Sequence, residues 1–158
     1  AADYPDCQLI INDYWREAIA LGAAWLHLGQ EDLAGADRAA IRAAGIRLGV
    51  STHSPAELDN ALTAQPDYLA LGPIYPTTLK QMPWSPQGLA RIGEWKGRCD
   101  LPLVAIGGIT LERAPAVLAA GADVIAVVSD VLRHPDPDQR VCAWLDLFRD
   151  NFRSETYR

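Results

Sequence analysis

The 158 residues predict a single α/β domain, a (β/α)8 TIM barrel with its first two βα units missing from the chain. Three observations carry this. Short runs of consecutive apolar residues do not alternate with polar ones, as expected of strands buried on both faces of a parallel sheet. These runs alternate strictly with helix-like stretches at a spacing of roughly 20 to 25 residues, the rhythm of right-handed βαβ units. Polar residues cluster at the C-terminal end of nearly every run, as they do on the catalytic rim of a barrel, whereas an open doubly wound sheet gathers its ligands at one switch point.

Taken in order, the strand-like runs are 8–12, 25–29, 47–52, 68–74, 103–107 and 124–129. The intervening helices are expected at 14–21, 36–44, 55–64, 86–96, 111–120 and 136–152. Ser54-Pro55-Ala56-Glu57 reads as an N-terminus with Ser at N-cap, Pro at N1 and Glu at N3. Thr110 is expected to cap the next-to-last helix, and Gly45 and Gly121 to terminate Ala-rich helices. Six strand–helix units are counted where a complete barrel has eight, and the only methionine is Met82, so two upstream units are expected to be absent.

Composition narrows the function classes. With 49% hydrophobic residues the chain can bury a sizeable core, and a net charge of −6 without a Lys/Arg cluster argues against nucleic acid and anionic membranes. No apolar run approaches the ~20 residues that cross a bilayer, and no signal peptide is read, so a cytoplasmic protein is expected. Cys7, Cys99 and Cys142 lack metal-ligand or disulfide spacing, and Cys142 is expected on the core-facing stripe of the last helix.

The residues at the strand ends suggest phosphate chemistry. Ala105-Ile106-Gly107-Gly108-Ile109, followed by the run ending in Val127-Val128-Ser129, resembles the paired loops with which barrels hold phosphate through backbone N–H groups. Asp13 and Asp32 leave neighbouring strands on the same rim, and two hard carboxylates there suit Mg²⁺; each alone reads equally well as a helix N-cap. Lys80, among Thr77 and Thr78, is placed for a phosphate oxygen, and Ser51 ends the third run. His27 reads as a packed core histidine. Ser51, His53 and Asp13 lack the strained G-x-S-x-G elbow of a hydrolase.

Ile11-Asn12-Asp13, His27-Leu28-Gly29-Gln30-Glu31-Asp32-Leu33, Leu48-Gly49-Val50-Ser51-Thr52-His53, Leu71-Gly72-Pro73-Ile74-Tyr75-Pro76-Thr77 with Lys80, Ala105-Ile106-Gly107-Gly108-Ile109 and Val127-Val128-Ser129 stand in the order and spacing of thiamine phosphate synthase motifs. The chain resembles that family over nearly its whole length. The resemblance implies condensation of hydroxymethylpyrimidine pyrophosphate with thiazole phosphate, giving thiamine phosphate and pyrophosphate. It implies that Asn12, Ser51 and Lys80 contact the pyrimidine pyrophosphate, with Ser51 and Lys80 catalytic. Asp13 and Asp32 would hold Mg²⁺, and Thr77, Thr78, Gly108, Val128 and Ser129 would contact the thiazole phosphate.

Two departures stand out: Leu79 replaces the second Thr of the family's Thr-x-Thr-Lys, and no Gln-x-Arg-x-Lys pyrophosphate-binding segment is present. The expected partners are the two small molecules, with a homo-oligomer left open. The rival readings are a thiazole tautomerase-like homologue, disfavoured by Asp13, Asp32 and Lys80 occurring together, and a truncated non-catalytic phosphate-binding barrel.

Overall fold

The computed structural model describes residues 7–77 and 84–155, with side chains of the last helix described through Arg149. Its elements run β1 (Ile11–Asn12), α1 (Trp15–Ala20), β2 (Trp25–Leu28), α2 (Gln30–Gly35), α3 (Arg38–Ala43), β3 (Arg47–Thr52) and α4 (Pro55–Thr63). They continue β4 (Tyr68–Leu71), α5 (Gly88–Lys96), β5 (Leu103–Ile106), α6 (Ala114–Ala119), β6 (Val124–Ala126), α7 (Ser129–Leu132) and α8 (Pro137–Glu155). The strands form one sheet in the order β1-β2-β3-β4-β5-β6, every neighbouring pair parallel.

This corrects the expected architecture. Among the described residues the sheet is an open six-stranded half-barrel with eight helices, and β1 and β6 are its two edges; a closed (β/α)8 TIM barrel is not formed. Each of the six apolar runs does supply one strand, but the strands are shorter than read. Residues such as Pro73 and Gly107 leave the ladder for the loops.

The helix-facing side of the sheet is the core. Leu26 and Leu28 of β2, Leu48 and Val50 of β3, Leu69 and Leu71 of β4 and Leu103 and Ala105 of β5 are buried together with Ile41, Leu58, Ile92, Trp95 and Val117 from the helices. At roughly 1.5 to 3 kcal/mol for each large aliphatic or aromatic side chain, this layer dominates the favourable side of folding. The concave side differs: Trp25, His27, Ser51 and Tyr68 are half-buried, and Ile106 and Val124 are exposed. Burial on both faces, expected from the non-alternating runs, is found only at the middle of the sheet, where Gly49 and Ala70 are buried on the concave side. An open sheet has a second layer on one side only.

Among the described residues one polar side chain, Thr52, is buried in the core. Thr52 is fully buried; its Oγ1 donates to the Ala70 carbonyl at 2.9 Å and accepts from Trp95 Nε1 at 2.8 Å. This ties β3 to β4 and α5, and satisfies the indole N–H that full burial would otherwise strand.

Local signals fared unevenly. Ser54 caps α4 as read, its Oγ accepting from the Glu57 N–H at 3.3 Å with Pro55 at the first turn. The Glu57 carboxylate reaches one residue further back than a capping box requires, to the His53 N–H and Nδ1, both at 2.8 Å. Thr110 does not cap α6: a turn intervenes, with the Thr110 carbonyl accepting from Arg113 and Ala114, and Pro115 lies in the first turn of the shorter helix. The unread α2 and α7 are single short helices in the loops after β2 and β6. Cys142 is exposed on α8, outside its apolar stripe; Trp144 instead packs into the core.

Candidate functional site

The rim begins where β1 ends. Asp13 adopts φ 67°, a left-handed conformation in which Asp is among the tolerated non-glycine residues. Its N–H still bonds the His27 carbonyl at 2.9 Å, so β2 holds the bend, and Tyr14 N–H folds back to the Asn12 carbonyl at 2.9 Å. The Asn12 amide donates to Asp13 Oδ2, and the Gly29 N–H approaches Oδ1 at 3.4 Å. Asp32 sits in the first turn of α2, facing Asp13. Its carboxyl is raised above the ordinary range by desolvation and by the charge and hydrogen bond of Asp13. Two facing carboxylates, one of them raised by its neighbour's charge, make a site receptive to a cation.

β3 supplies Ser51, whose Oγ lies 2.8 Å from His27 Nε2, while His27 Nδ1 lies 2.9 Å from Tyr68 Oη. Burial lowers the His27 pKa, opposed by the nearby Asp13 charge; burial raises the Tyr68 phenol to about 12. Backbone placement of Ser51 is reinforced by Gln30, whose Nε2 donates to the Ser51 carbonyl at 2.7 Å and whose Oε1 accepts from Asn60 Nδ2 at 2.8 Å.

The loops after β4 and β5 are zipped together: Ile74 N–H bonds the Ile106 carbonyl at 2.9 Å and Tyr75 N–H the Gly107 carbonyl at 3.0 Å. Gly107 and Gly108 take φ 96° and 65°, and a Cβ on them would lie 2.6 Å from Pro73 Cα and 2.5 Å from the Pro76 carbonyl. Only glycine permits both the backbone conformation and the close approach. Arg113 completes the fastening, donating to the Gly108 carbonyl at 2.6 Å and lying over the Tyr75 ring at 4.5 Å.

These strand ends surround one cavity of about 340 Å³. Asn12, Asp13, Asp32, Ser51, Thr77, Gly108, Val128 and Ser129 all line it. Thr78 and Lys80, with Leu79 between them, lie outside the described residues. The sequence reading missed His27 and His53, which also line the cavity. His27 had looked like core because it lies mid-strand. The period-two alternation of β2, with Leu26 and Leu28 buried and Trp25 and His27 on the other side, was the available signal. Among the described residues no group of three or more His, Cys, Asp or Glu forms a metal cage; the rim offers the carboxylate pair.

A parallel α/β half-barrel with a polar cavity at the C-terminal ends of its strands, two facing carboxylates and a glycine loop defines the class: an enzyme-like scaffold of the barrel type. The comparisons are narrower. Residues 1–131 match the family model described as thiamine monophosphate synthase. The thiamine-phosphate synthase of Rhizobium etli is 62% identical over 140 residues, covering 88% of this chain and 69% of that protein. That of Salmonella newport is 54% identical over 143 residues, covering 90% and 68%. Among solved structures, the thiamine phosphate pyrophosphorylase of Pyrococcus furiosus superposes with a TM-score of 0.80 at 29% identity, covering 94% of this chain and 70% of that one. A 3-hexulose-6-phosphate synthase from Salmonella typhimurium, 18% identical with a TM-score of 0.65, covers 90% of this chain and 73% of its own and shares the fold alone. The chain belongs to the thiamine monophosphate synthase family, and spans about two thirds of the length of these curated relatives.

Proposed function

We propose that the protein condenses hydroxymethylpyrimidine pyrophosphate with thiazole phosphate, releasing pyrophosphate and forming thiamine phosphate. The observation that carries this reading is convergence. Eight residues assigned to two substrates and a metal from separate motifs line a single cavity, in a chain whose relatives bear the name thiamine-phosphate synthase.

Asp13 and Asp32 are assigned to Mg²⁺, and the fit is chemical. They are hard oxygen donors on adjoining loops, and the Asp32 carboxyl is raised by desolvation and by the Asp13 charge, a cost that a dication between them would relieve. When bound, the ion supplies neutralisation of the charge growing on a departing pyrophosphate. The chain's own groups do the rest. Ser51 and the amide of Asn12 orient the pyrimidine pyrophosphate by hydrogen bonds, and Lys80 is assigned to the leaving oxygen as a positive charge matched to the transition state. The C–O bond breaks with its electron pair moving to pyrophosphate, and the ring nitrogen of the thiazole supplies the pair that forms the new C–N bond. Thr77, Thr78, Gly108, Val128 and Ser129 are assigned to the thiazole phosphate, so that both reactants are aligned within one cavity.

Incubating the protein with both substrates and Mg²⁺, and following thiamine phosphate by chromatography and pyrophosphate by a coupled assay, tests the reading. The two products are expected in equal amounts, with turnover that requires the dication. Asp13→Asn and Asp32→Asn are each expected to lower turnover at least about 100-fold while circular dichroism stays unchanged. A folded wild-type protein that forms no thiamine phosphate, or either variant within a few-fold of wild type, overturns the assignment.

A further inference from the structure

The pairing of Ser51 with His27 does not end at the cavity wall. Behind His27 stands Tyr68, on the far side of β3, and the three groups form a chain across three adjacent strands: Tyr68 Oη to His27 Nδ1 at 2.9 Å, then His27 Nε2 to Ser51 Oγ at 2.8 Å. Tyr68 reaches across because β3 carries glycine opposite both of them. Gly49 is paired in register with His27 on one side and Tyr68 on the other. A Cβ on Gly49 would lie 2.0 Å from Tyr68 Cζ and 2.4 Å from its Oη, so the ring occupies the place a side chain would take. The phenol stacks on His27 with ring centroids 5.5 Å apart at 25°, and Trp25 flanks it at 5.9 Å. The ring is therefore wedged with its hydroxyl aimed at Nδ1.

Proton polarity follows from the partners. A neutral imidazole carries one ring N–H, and burial keeps Tyr68 a protonated phenol. Among the described residues the only acceptor within reach of the phenol hydrogen is His27 Nδ1. If Tyr68 donates there, the ring hydrogen sits on Nε2 and points at Ser51 Oγ. Ser51 then accepts from the ring, and its own hydrogen turns into the cavity. The opposite polarity would present only lone pairs of Ser51 to a ligand, and repel an anionic oxygen.

We propose that Tyr68 is a positioning residue: through His27 it fixes the Ser51 hydroxyl as a hydrogen-bond donor into the cavity, matched to an anionic oxygen of a pyrophosphate ester. The identity of that ester rests on the function proposed above; the polarity of the relay does not.

Two measurements decide it. Long-range ¹H–¹⁵N correlation spectra of histidine-labelled protein are expected to show His27 as the Nε2–H tautomer, and Tyr68→Phe, which keeps the ring in place above Gly49, is expected to lose that bias. In steady-state kinetics Tyr68→Phe is expected to lower kcat/KM for the pyrimidine pyrophosphate about 3- to 10-fold, the scale of one hydrogen bond, leaving the KM for thiazole phosphate unchanged. In a Ser51→Ala background the same change is expected to have no further effect, since its route is gone. An Nδ1–H tautomer in the wild type, a tautomer indifferent to Tyr68→Phe, or an undiminished Tyr68→Phe effect without Ser51 overturns the proposal. If the wild type forms no thiamine phosphate, the proposed reaction fails alone and the tautomer spectra still decide the relay.

Discussion

Single atoms decide the most at Gly108 and Thr52. Any Cβ on Gly108 meets the carbonyls of Tyr75 and Pro76 at 2.8 and 2.5 Å, backbone that cannot swing aside, on a φ of 65° that alanine resists. Gly108→Ala is therefore expected to push the loop after β5 away from the loop after β4. It should raise the KM for thiazole phosphate at least about tenfold, because a misplacement of about 1 Å is enough to forfeit alignment; an unchanged KM would show that Gly108 is only a turn. Thr52 answers a different question. Thr52→Val keeps the volume but leaves the buried Trp95 indole N–H without its acceptor, and a loss of about 1 to 3 kcal/mol is expected by urea unfolding, with Thr52→Ser close to wild type. The glycine loop was readable in advance because a Gly-Gly pair at a strand end has few other uses. The Thr52–Trp95 bond was not, since it joins residues 43 positions apart through packing that no local pattern encodes.

Among the elements, α7 matters beyond its length. Ser129 opens it and lines the cavity, yet the helix has no fully buried side chain to hold it. What holds it is α8: Arg140 binds Asp130 through Nε and Nη2, both at 2.8 Å, and reaches Glu112 at 2.9 Å, while Trp144 Nε1 donates to Asp130 at 2.8 Å. The Asp130 and Arg140 side chains are only 8% and 14% exposed, so the fork is shielded from screening. Arg140→Ala is expected to cost about 1.5 to 3 kcal/mol and to weaken thiazole phosphate binding through Ser129, although Arg140 does not line the cavity. Calorimetric titration with thiazole phosphate, beside urea unfolding, checks both; lost stability with full affinity would make the fork purely structural. The long apolar periodicity of α8 was legible, whereas α7 was not read: only its first residue, Ser129, fell within a strand-like run. α7 follows directly on the β-branched pair Val127-Val128 and is only four residues long, so it leaves no helical period; the tertiary fork stabilises the turn.

At the scale of the whole molecule, the sequence conveyed strand number, order and the side on which the site would form, because buried parallel strands and polar strand ends leave periodic marks. Closure was not legible. The apolar concave residues Val104, Ile106 and Val124 read as doubly buried strands, yet the described sheet stays open with Ile106 and Val124 exposed. The same distribution of buried and half-buried groups sets the pH limits of the fold. On the acid side, Asp123 and Asp130 are held below the ordinary carboxylate range: burial opposes this but is outweighed, for Asp123 by the Leu103 N–H and Lys96, and for Asp130 by Arg140 and Trp144. A depressed carboxyl stabilises the fold above its unfolded pKa and loses that contribution as pH falls through the lower folded value. On the alkaline side the sign reverses. The Tyr68 phenol, raised to about 12 by burial, contributes fully below the ordinary tyrosine value of about 10, and that contribution is lost as pH climbs toward 12. Unfolding free energy measured by urea against pH is therefore expected to fall on both flanks. Tyr68→Phe should flatten only the alkaline flank and Arg140→Ala only the acid one. An alkaline limb unchanged in Tyr68→Phe would mean that the phenol is solvated in the folded protein, and would loosen the wedge above Gly49 on which its position depends.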